Sequence, residues 1–597
     1  MQQHWPNEPG LTVCLIVWLI VPISKLTRWI AQFAGNSVVR RIVNLTTFLF
    51  SNSVQRPITL FCMLLLVVAQ VSCAFPIQQS LSQPEDSRIF RMNLGTEPPS
   101  LDPAKVVDLT SFTVVQNVMR GLTTLSTEKN RPELDSEGNV AVLPSMALSW
   151  DISEDRQTYT FHLRENAQWS DGTPMISQHF VDAWHRVLTP ETGADYAFFL
   201  FDIKGAKDFY DGQIPFEQVG ILALNDNTLQ VQLRRPIPFF LELCAAPVML
   251  PFREDVYKKY GDQFTEANNS VTNGPYKLTA WQHNVGITLT PNPYYYAPPQ
   301  GVDGIEMMMV NDPNTSVVMY ENNELDFIET STSIPAFDVR RLVKHPDARQ
   351  FPIHRLNYIG FNVTQPPFNN EKVRQAFTLA IDRSYFPRLL KAGQLPNGSW
   401  LTPGLFGYND QRGLQFNPHQ AQQRLAEAGY PNGKGFPEVS LVYRTLYETQ
   451  KEMEILQYLW KTHLNVNVRL ENMEWKMFLK RLQTGAPGMY RLGWFVDYPD
   501  PDSFMSLFTG ASGNNYTGWT HADYDQFVQN AAVMANGKKR QTLYDRAQRI
   551  LLEDDAVIAP LYGSNKLILT KPWVKGLSIN SLNLIQLESV AVSRNQR

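Results

Sequence analysis

The chain has 597 residues, 53 Lys and Arg against 57 Asp and Glu, a net charge of -4, and 43% hydrophobic and 18% charged residues. That balance supports large cores and excludes a disordered chain, while the length asks for several domains or one elaborate architecture. Without a basic excess, nucleic acid is not an expected partner, because phosphate backbones are held by clustered Lys and Arg.

In chain order, the first features are apolar. Leu11–Ile23 lies between Pro9 and the basic Lys25 and Arg28, and Ile58–Ala69 follows Arg56. The second run has the length of a signal-peptide core and is short for a bilayer span, which takes ~20 apolar residues. Small residues Ser72 and Ala74 then suit a cleavage site before Phe75. Either a membrane helix precedes this signal or the true start lies downstream of Met1, and both alternatives export the body of the chain. An uncleaved anchor is the competing outcome. Cys73 raises lipid attachment, but Gln70 stands where that pattern wants an aliphatic residue, so lipidation is not expected. Of Cys14, Cys62, Cys73 and Cys244, only Cys244 falls in the body, too few for a disulfide framework or a Cys-based zinc site. It reads as a small buried apolar residue.

From about Arg88 onward, strands and helices alternate. Period-two patterns at Thr158–Leu163, Thr228–Leu233 and Val466–Leu470 predict half-buried strands. Asn417-Pro418 starts a helix that Gly429 ends, and Met453, Leu456, Trp460 and Leu464 stripe another. Such alternation predicts an α/β architecture of mixed sheets with helices on their faces. The forty prolines gather in turns such as Pro291-Asn-Pro293 and Pro366-Pro367, which reads as long ordered loops.

No nucleophile elbow, zinc-protease, P-loop or dinucleotide motif occurs. His179, Asp182 and His185 share helical spacing that could hold a metal, although a satisfied helix side is the simpler reading. The densest acidic feature is Asp497-Tyr-Pro-Asp500-Pro-Asp502 beside Trp494. It could supply a carboxylate pair for glycoside hydrolysis with Trp494 as sugar platform, hold calcium, or meet a ligand's ammonium group. A solvated acidic turn stiffened by prolines is the plain alternative.

An ordered series of motifs narrows these choices. It runs through Gly95-Thr-Glu97-Pro-Pro-Ser100-Leu101-Asp102-Pro103, then Trp169-Ser-Asp171-Gly172-Thr-Pro174 with Phe180-Val-Asp182-Ala-Trp184. It continues through Thr272-Asn273-Gly274-Pro275-Tyr276-Lys277, Phe368-Asn369-Asn370-Glu371-Lys372-Val373-Arg374 and Glu471-Asn-Met-Glu474-Trp475-Lys476. Gly493-Trp494-Phe-Val-Asp497-Tyr498 and Lys571-Pro572-Trp573-Val574 close it. Arg88 to Gly576 thereby resembles the periplasmic oligopeptide-binding proteins of ABC importers, within the extracellular solute-binding protein family 5 (peptide- and nickel-binding).

The resemblance implies a two-lobed periplasmic binding protein fold, α/β and type II-like, with an additional inserted subdomain. Residues 75–110, 228–354 and 564–597 would form lobe I, 111–227 the inserted subdomain and 355–563 lobe II, after an N-terminal hydrophobic region at 1–74. The chain would cross near 354 and 563, making a hinge about which the lobes close. The implied function is a non-enzymatic periplasmic receptor that delivers oligopeptides to importer permease subunits in the membrane, as a monomer without cofactor or metal. Murein peptide, nickel or haem is the alternative cargo within the family, and a glycosidase using Asp497 and Asp500 the alternative outside it.

Many peptides share only their backbone and charged ends, so such a receptor holds an extended peptide by main-chain pairing. The resemblance assigns that pairing to Gly95–Glu97 and Arg491–Asp497, the α-ammonium to Asp497 and a tripeptide-like carboxylate to Arg491. Glu97, Trp494, Trp475 and Tyr196 are the further expected ligand-binding positions. Two departures stand out: Thr449 where a histidine can serve longer peptides, and Arg355 and Phe495 where some relatives carry a cysteine pair.

Overall fold

Alternating apolar side chains set the strands and decide which faces are buried. In the computed structural model the described residues are 88–126, 140–445 and 447–594. They lie in the second of two units, Glu85–Arg597, the first being Met1–Pro84. The expected membrane and signal segments, Cys14, Cys62, Cys73 and Phe75 fall outside the described residues. No helix among the described residues is long and apolar enough to cross a membrane.

The strands used below are β1 (Ile89–Asn93), β2 (Ala147–Ile152), β3 (Thr158–Leu163), β4 (Ile221–Asn225) and β5 (Thr228–Gln232), followed by β6 (Tyr276–Gln282), β7 (Gly286–Pro291), β8 (Gly304–Met308) and β9 (Phe327–Glu329). Then come β10 (Ala348–Phe361), β11 (Val439–Arg444), β12 (Val468–Met473), β13 (Met489–Phe495) and β14 (Ile558–Thr570). The helices used below are α1 (Gln178–Leu188), α2 (Glu371–Leu379), α3 (Pro418–Glu427), α4 (Tyr447–Leu464), α5 (Trp475–Gly485) and α6 (Lys538–Arg549).

A separate antiparallel sheet runs β2-β3-β5-β4. Its inward positions Tyr159, Phe161, Leu229 and Val231 are buried, as their period predicts. The larger sheet has eleven strands, ten of them in the order β12-β11-β13-β10-β14-β9-β1-β8-β7-β6. Parallel and antiparallel pairs mix in it, as in the α/β class expected. β10 and β14 are its longest members and pair antiparallel from Ala348 opposite Leu569 to Gly360 opposite Ile558. Their register slips between Ile353 and Leu356 and again between Asn357 and Tyr358. Irregularities of this kind bend a strand and sharpen its twist.

From Leu356 to Phe361, β10 is buried on both faces. Leu356 and Tyr358 join one core with Trp400, Phe508 and Tyr544, while Ile359 and Phe361 join another with Phe377 and Trp460. Coverage on both sides explains why this end of the strand is mostly apolar rather than alternating. Asn417 caps α3 by accepting from the Gln420 amide, with Pro418 in the first turn. α4 and β12 follow the expected order, but the strand begins at Val468 rather than Val466. Asn465 there takes a positive φ of 56°, a turn that ends the helix before the strand starts.

Candidate functional site

The site grows from the carboxyl end of β13. The ladder with β10 continues past Phe495, where the Val496 amide donates to the His354 carbonyl at 3.1 Å. The chain then turns through two prolines into a short helix, Asp502–Met505. The turn is stitched from within: the Asp497 amide donates to Ser503 Oγ at 2.9 Å, and the Asp502 amide to Asp500 Oδ1 at 2.8 Å. Its three carboxylates have three different fates.

Asp500 is fully engaged. Both its oxygens accept from the Arg540 guanidinium of α6, at 2.7 and 2.8 Å, with the Arg540 side chain entirely buried. Asp502 accepts from the Tyr498 hydroxyl at 2.9 Å, and burial beside Asp500 pushes it up to about 7. Asp497 has no cationic partner among the described residues. Its one side-chain hydrogen bond comes from the Tyr196 hydroxyl, at 3.4 Å. Burial pushes its carboxyl up to about 7, only partly offset by that bond. Desolvation without a counter-charge has this effect on an acid, and an arriving cation would reverse it. Asp500 thus cannot act as the second, free carboxylate of a glycosidase pair, which needs two acids facing one bond.

Tyr196 reaches Asp497 from a segment 301 residues away in the chain, and the turn itself packs against the same region. The Tyr498 ring stacks on Phe239 with centroids 4.9 Å apart and meets Phe199 edge-on at 5.8 Å. Segments far apart in the chain therefore converge on Asp497.

Further back along β13, Arg491 lies opposite Ile359, Gly493 opposite Asn357 and Phe495 opposite Arg355, all on one face. Arg491 is largely buried and already paired. Its Nε donates to Glu452 Oε2 at 3.0 Å, and one terminal nitrogen donates to Asn357 Oδ1 at 2.8 Å. Glu452, from α4, also accepts from the Tyr562 hydroxyl. The two positions where a cysteine pair was absent are cross-strand neighbours, with the Arg355 guanidinium 4.8 Å from the Phe495 ring centre.

The other expected residues are placed as follows. Trp494 points to the opposite face of β13 from Arg491, against the core, and its indole N–H donates to the Ser503 carbonyl at 3.2 Å. Trp475 opens α5, 37% exposed, with the Arg444 guanidinium 5.1 Å above its ring. Thr449 is buried in the first turn of α4. Gly95–Glu97 lies beyond the end of β1 in a turn. There Gly95 takes φ +81° against Thr332, a conformation and a close approach that favour glycine. The Glu97 carboxylate accepts from Trp281 Nε1 at 2.9 Å and from the Asn284 amide at 2.7 Å, and sits 2.7 Å from His283 Nδ1. It pins the β6–β7 hairpin, and that bond raises the His283 pKa.

His179, Asp182 and His185 do not converge. His179 Nδ1 accepts from Trp169 Nε1 and the Ile176 amide, and burial pulls it down to about 4. Asp182 accepts from Gln178, and the His185 ring packs on Phe216. Among the described residues no three His, Cys, Asp or Glu side chains gather as a metal site. Cys244 is buried with a free thiol whose pKa burial raises. Sequence reading missed Glu452, Tyr562 and Arg540, which no local motif marks.

Four similarities to known proteins follow. Residues 141–516 match the family model described as bacterial extracellular solute-binding proteins, family 5 Middle. The chain is 32% identical to the dipeptide-binding protein DppE of Bacillus subtilis over 84% of its own length and 91% of that protein. It is also 32% identical to the periplasmic oligopeptide-binding protein OppA of Salmonella typhimurium, over 86% and 93%. Among solved structures, a periplasmic oligopeptide-binding protein from Borrelia burgdorferi superposes with a TM-score of 0.73 at 30% identity, covering 85% of this chain and all of that one.

Proposed function

We propose, from the premise that the chain belongs to the bacterial extracellular solute-binding proteins of family 5, that it is a receptor capturing oligopeptides between two lobes for an ABC importer. The observation that carries this reading is Asp497, a half-buried carboxylate with no cation beside it among the described residues, at the meeting point of distant segments. A free peptide offers every such receptor the same complement, an α-ammonium group. Paired with it in a water-poor cleft, the contact is charge-assisted and fixes the register of the peptide. The edge of β13 beyond its short pairing with β11, together with the turn after β1, supplies backbone groups for the extended chain. Arg491, shared with Glu452, supplies the positive end for the carboxylate. Trp475, Trp494 and Tyr196 line or brace the space between, and Glu97 holds the hairpin beside it.

Lobe I is assigned residues 75–110, 228–354 and 564–597, the inserted subdomain 111–227, and lobe II 355–563. Supporting this division, β10 and β14 link the two halves of the large sheet, and their register slips where Ile353 pairs Ser564 and Leu356 pairs Gly563. A locally weakened ladder in two adjacent strands suits a hinge. The receptor acts outside the cytoplasm, without catalysis, as a monomer docking on permease subunits. Small-angle scattering with saturating tri-alanine should give a smaller radius of gyration than the peptide-free protein. An unchanged profile, with no heat of binding by calorimetry, would sink the closing-receptor reading.

A further inference from the structure

The face of β10 and β13 that carries Arg491 also carries a cation that no carboxylate among the described residues answers. Arg355 stacks on Phe495, and its Nε is buried with no hydrogen-bond partner. No carboxylate forms an ion pair with it among the described residues, whereas Arg491 has Glu452 at 2.9 Å. Arg444, exposed above the Trp475 ring, completes a group of three guanidiniums near enough to repel one another. The acids facing them are Glu452, bound to Arg491 and Tyr562, and Glu474, near Arg444. Burial and the neighbouring Arg491 pull the Arg355 pKa down to about 10, the mark of a cation held without its counter-charge. The cluster opens to solvent past Phe495 and Trp475, 39% and 37% exposed. Along β13, Arg355 lies between Asp497 and Arg491, within the span a bound peptide would cover.

A buried donor without a partner is costly, and a planar guanidinium flanked by an aromatic ring is shaped to receive a carboxylate in two parallel hydrogen bonds. We propose that Arg355 is a carboxylate-binding subsite for the peptide, answered by an acidic side chain or by the peptide's own carboxyl end. This rests on the peptide-receptor reading above, and deepens it: the receptor selects peptides by negative charge at a position where backbone pairing alone is indifferent.

Titration calorimetry of the full chain with Ala-Glu-Ala, Ala-Gln-Ala, tri-alanine and tri-alanine amide separates the sources. A side-chain source predicts that the wild type binds Ala-Glu-Ala about tenfold tighter than Ala-Gln-Ala, and a terminal source predicts a similar preference for tri-alanine over its amide. In either case Arg355→Met abolishes that ratio while the protein still binds the neutral peptide. Should Arg355→Met fail to fold, Arg355→Lys keeps the charge without the fork and should weaken the same ratio severalfold. Ratios near one in the wild type, or ratios that neither substitution moves, overturn the subsite while leaving the receptor reading intact. Failure of the wild type to bind any of the four overturns both.

Discussion

Replacing Asp497 with alanine should lower tripeptide affinity by roughly two to three orders of magnitude. The substitution leaves the ligand's ammonium in the cleft without its counter-charge, and breaking one side of a buried pair costs about 3–5 kcal/mol. Water entering the emptied space moves the loss toward the lower figure. The pH dependence follows from the same carboxylate. Burial holds the Asp497 carboxyl up at about 7 in the unliganded protein, so below that pH it is largely protonated. An ammonium needs the ionised form, so the proton must leave as the peptide arrives. Wild-type affinity should therefore fall as pH drops below about 7, by up to ~tenfold per unit, and fall again above ~8 as the ligand's amino group loses its charge. The acid limb should vanish in Asp497→Ala and the alkaline limb flatten. N-acetylated tri-alanine should bind the wild type poorly and gain little from the substitution. Equal affinity of wild type and variant for the free tripeptide would remove the register-setting role of Asp497.

Asp500→Ala should act on stability rather than on the ligand directly. Its carboxylate is the counter-charge of Arg540, whose side chain has no exposure to water, and also caps the turn through the Asp502 amide. Removing it strands a buried guanidinium, at a cost of about 3–5 kcal/mol. Denaturant unfolding should show a lower midpoint for the single variant. Replacing both partners with apolar residues, Asp500→Leu with Arg540→Met, should recover much of the loss, because the stranded charge has gone. A single variant as stable as the wild type would contradict this assignment. The result also bears on how Asp497 is tested: Asp500, although its neighbour in the same acidic turn, is not an indifferent control, because loosening the turn moves Asp497 as well.

Local signals were legible in the sequence and distant partnerships were not. The alternation at Thr158–Leu163 and the Asn417-Pro418 cap are properties of a few consecutive residues, and both appear in the fold where the pattern put them. Strand parity was legible too, although a motif can hide it: Gly493-Trp494-Phe-Val-Asp497 reads as one aromatic cluster, yet period two turns Trp494 away from the face that carries Arg491 and Phe495. What no local pattern marks is the partner brought in by topology. Glu452 reaches Arg491 from α4, Arg540 reaches Asp500 from α6, and Trp281 and His283 reach Glu97 from the β6–β7 hairpin. The sequence shows a carboxylate at Asp497, Asp500 and Asp502 alike. Only the packing separates Asp500, paired with Arg540, from Asp497 and Asp502, each met by a tyrosine hydroxyl.

Native mass spectrometry of the purified protein reads peptide capture itself, since a closing cleft that anchors shared peptide ends should retain whatever peptides it met. A peptide receptor should give a heterogeneous series of adducts with peptide masses, released on partial unfolding and much reduced in Asp497→Ala. A single adduct of metal or tetrapyrrole mass, unchanged in that variant, would contradict it.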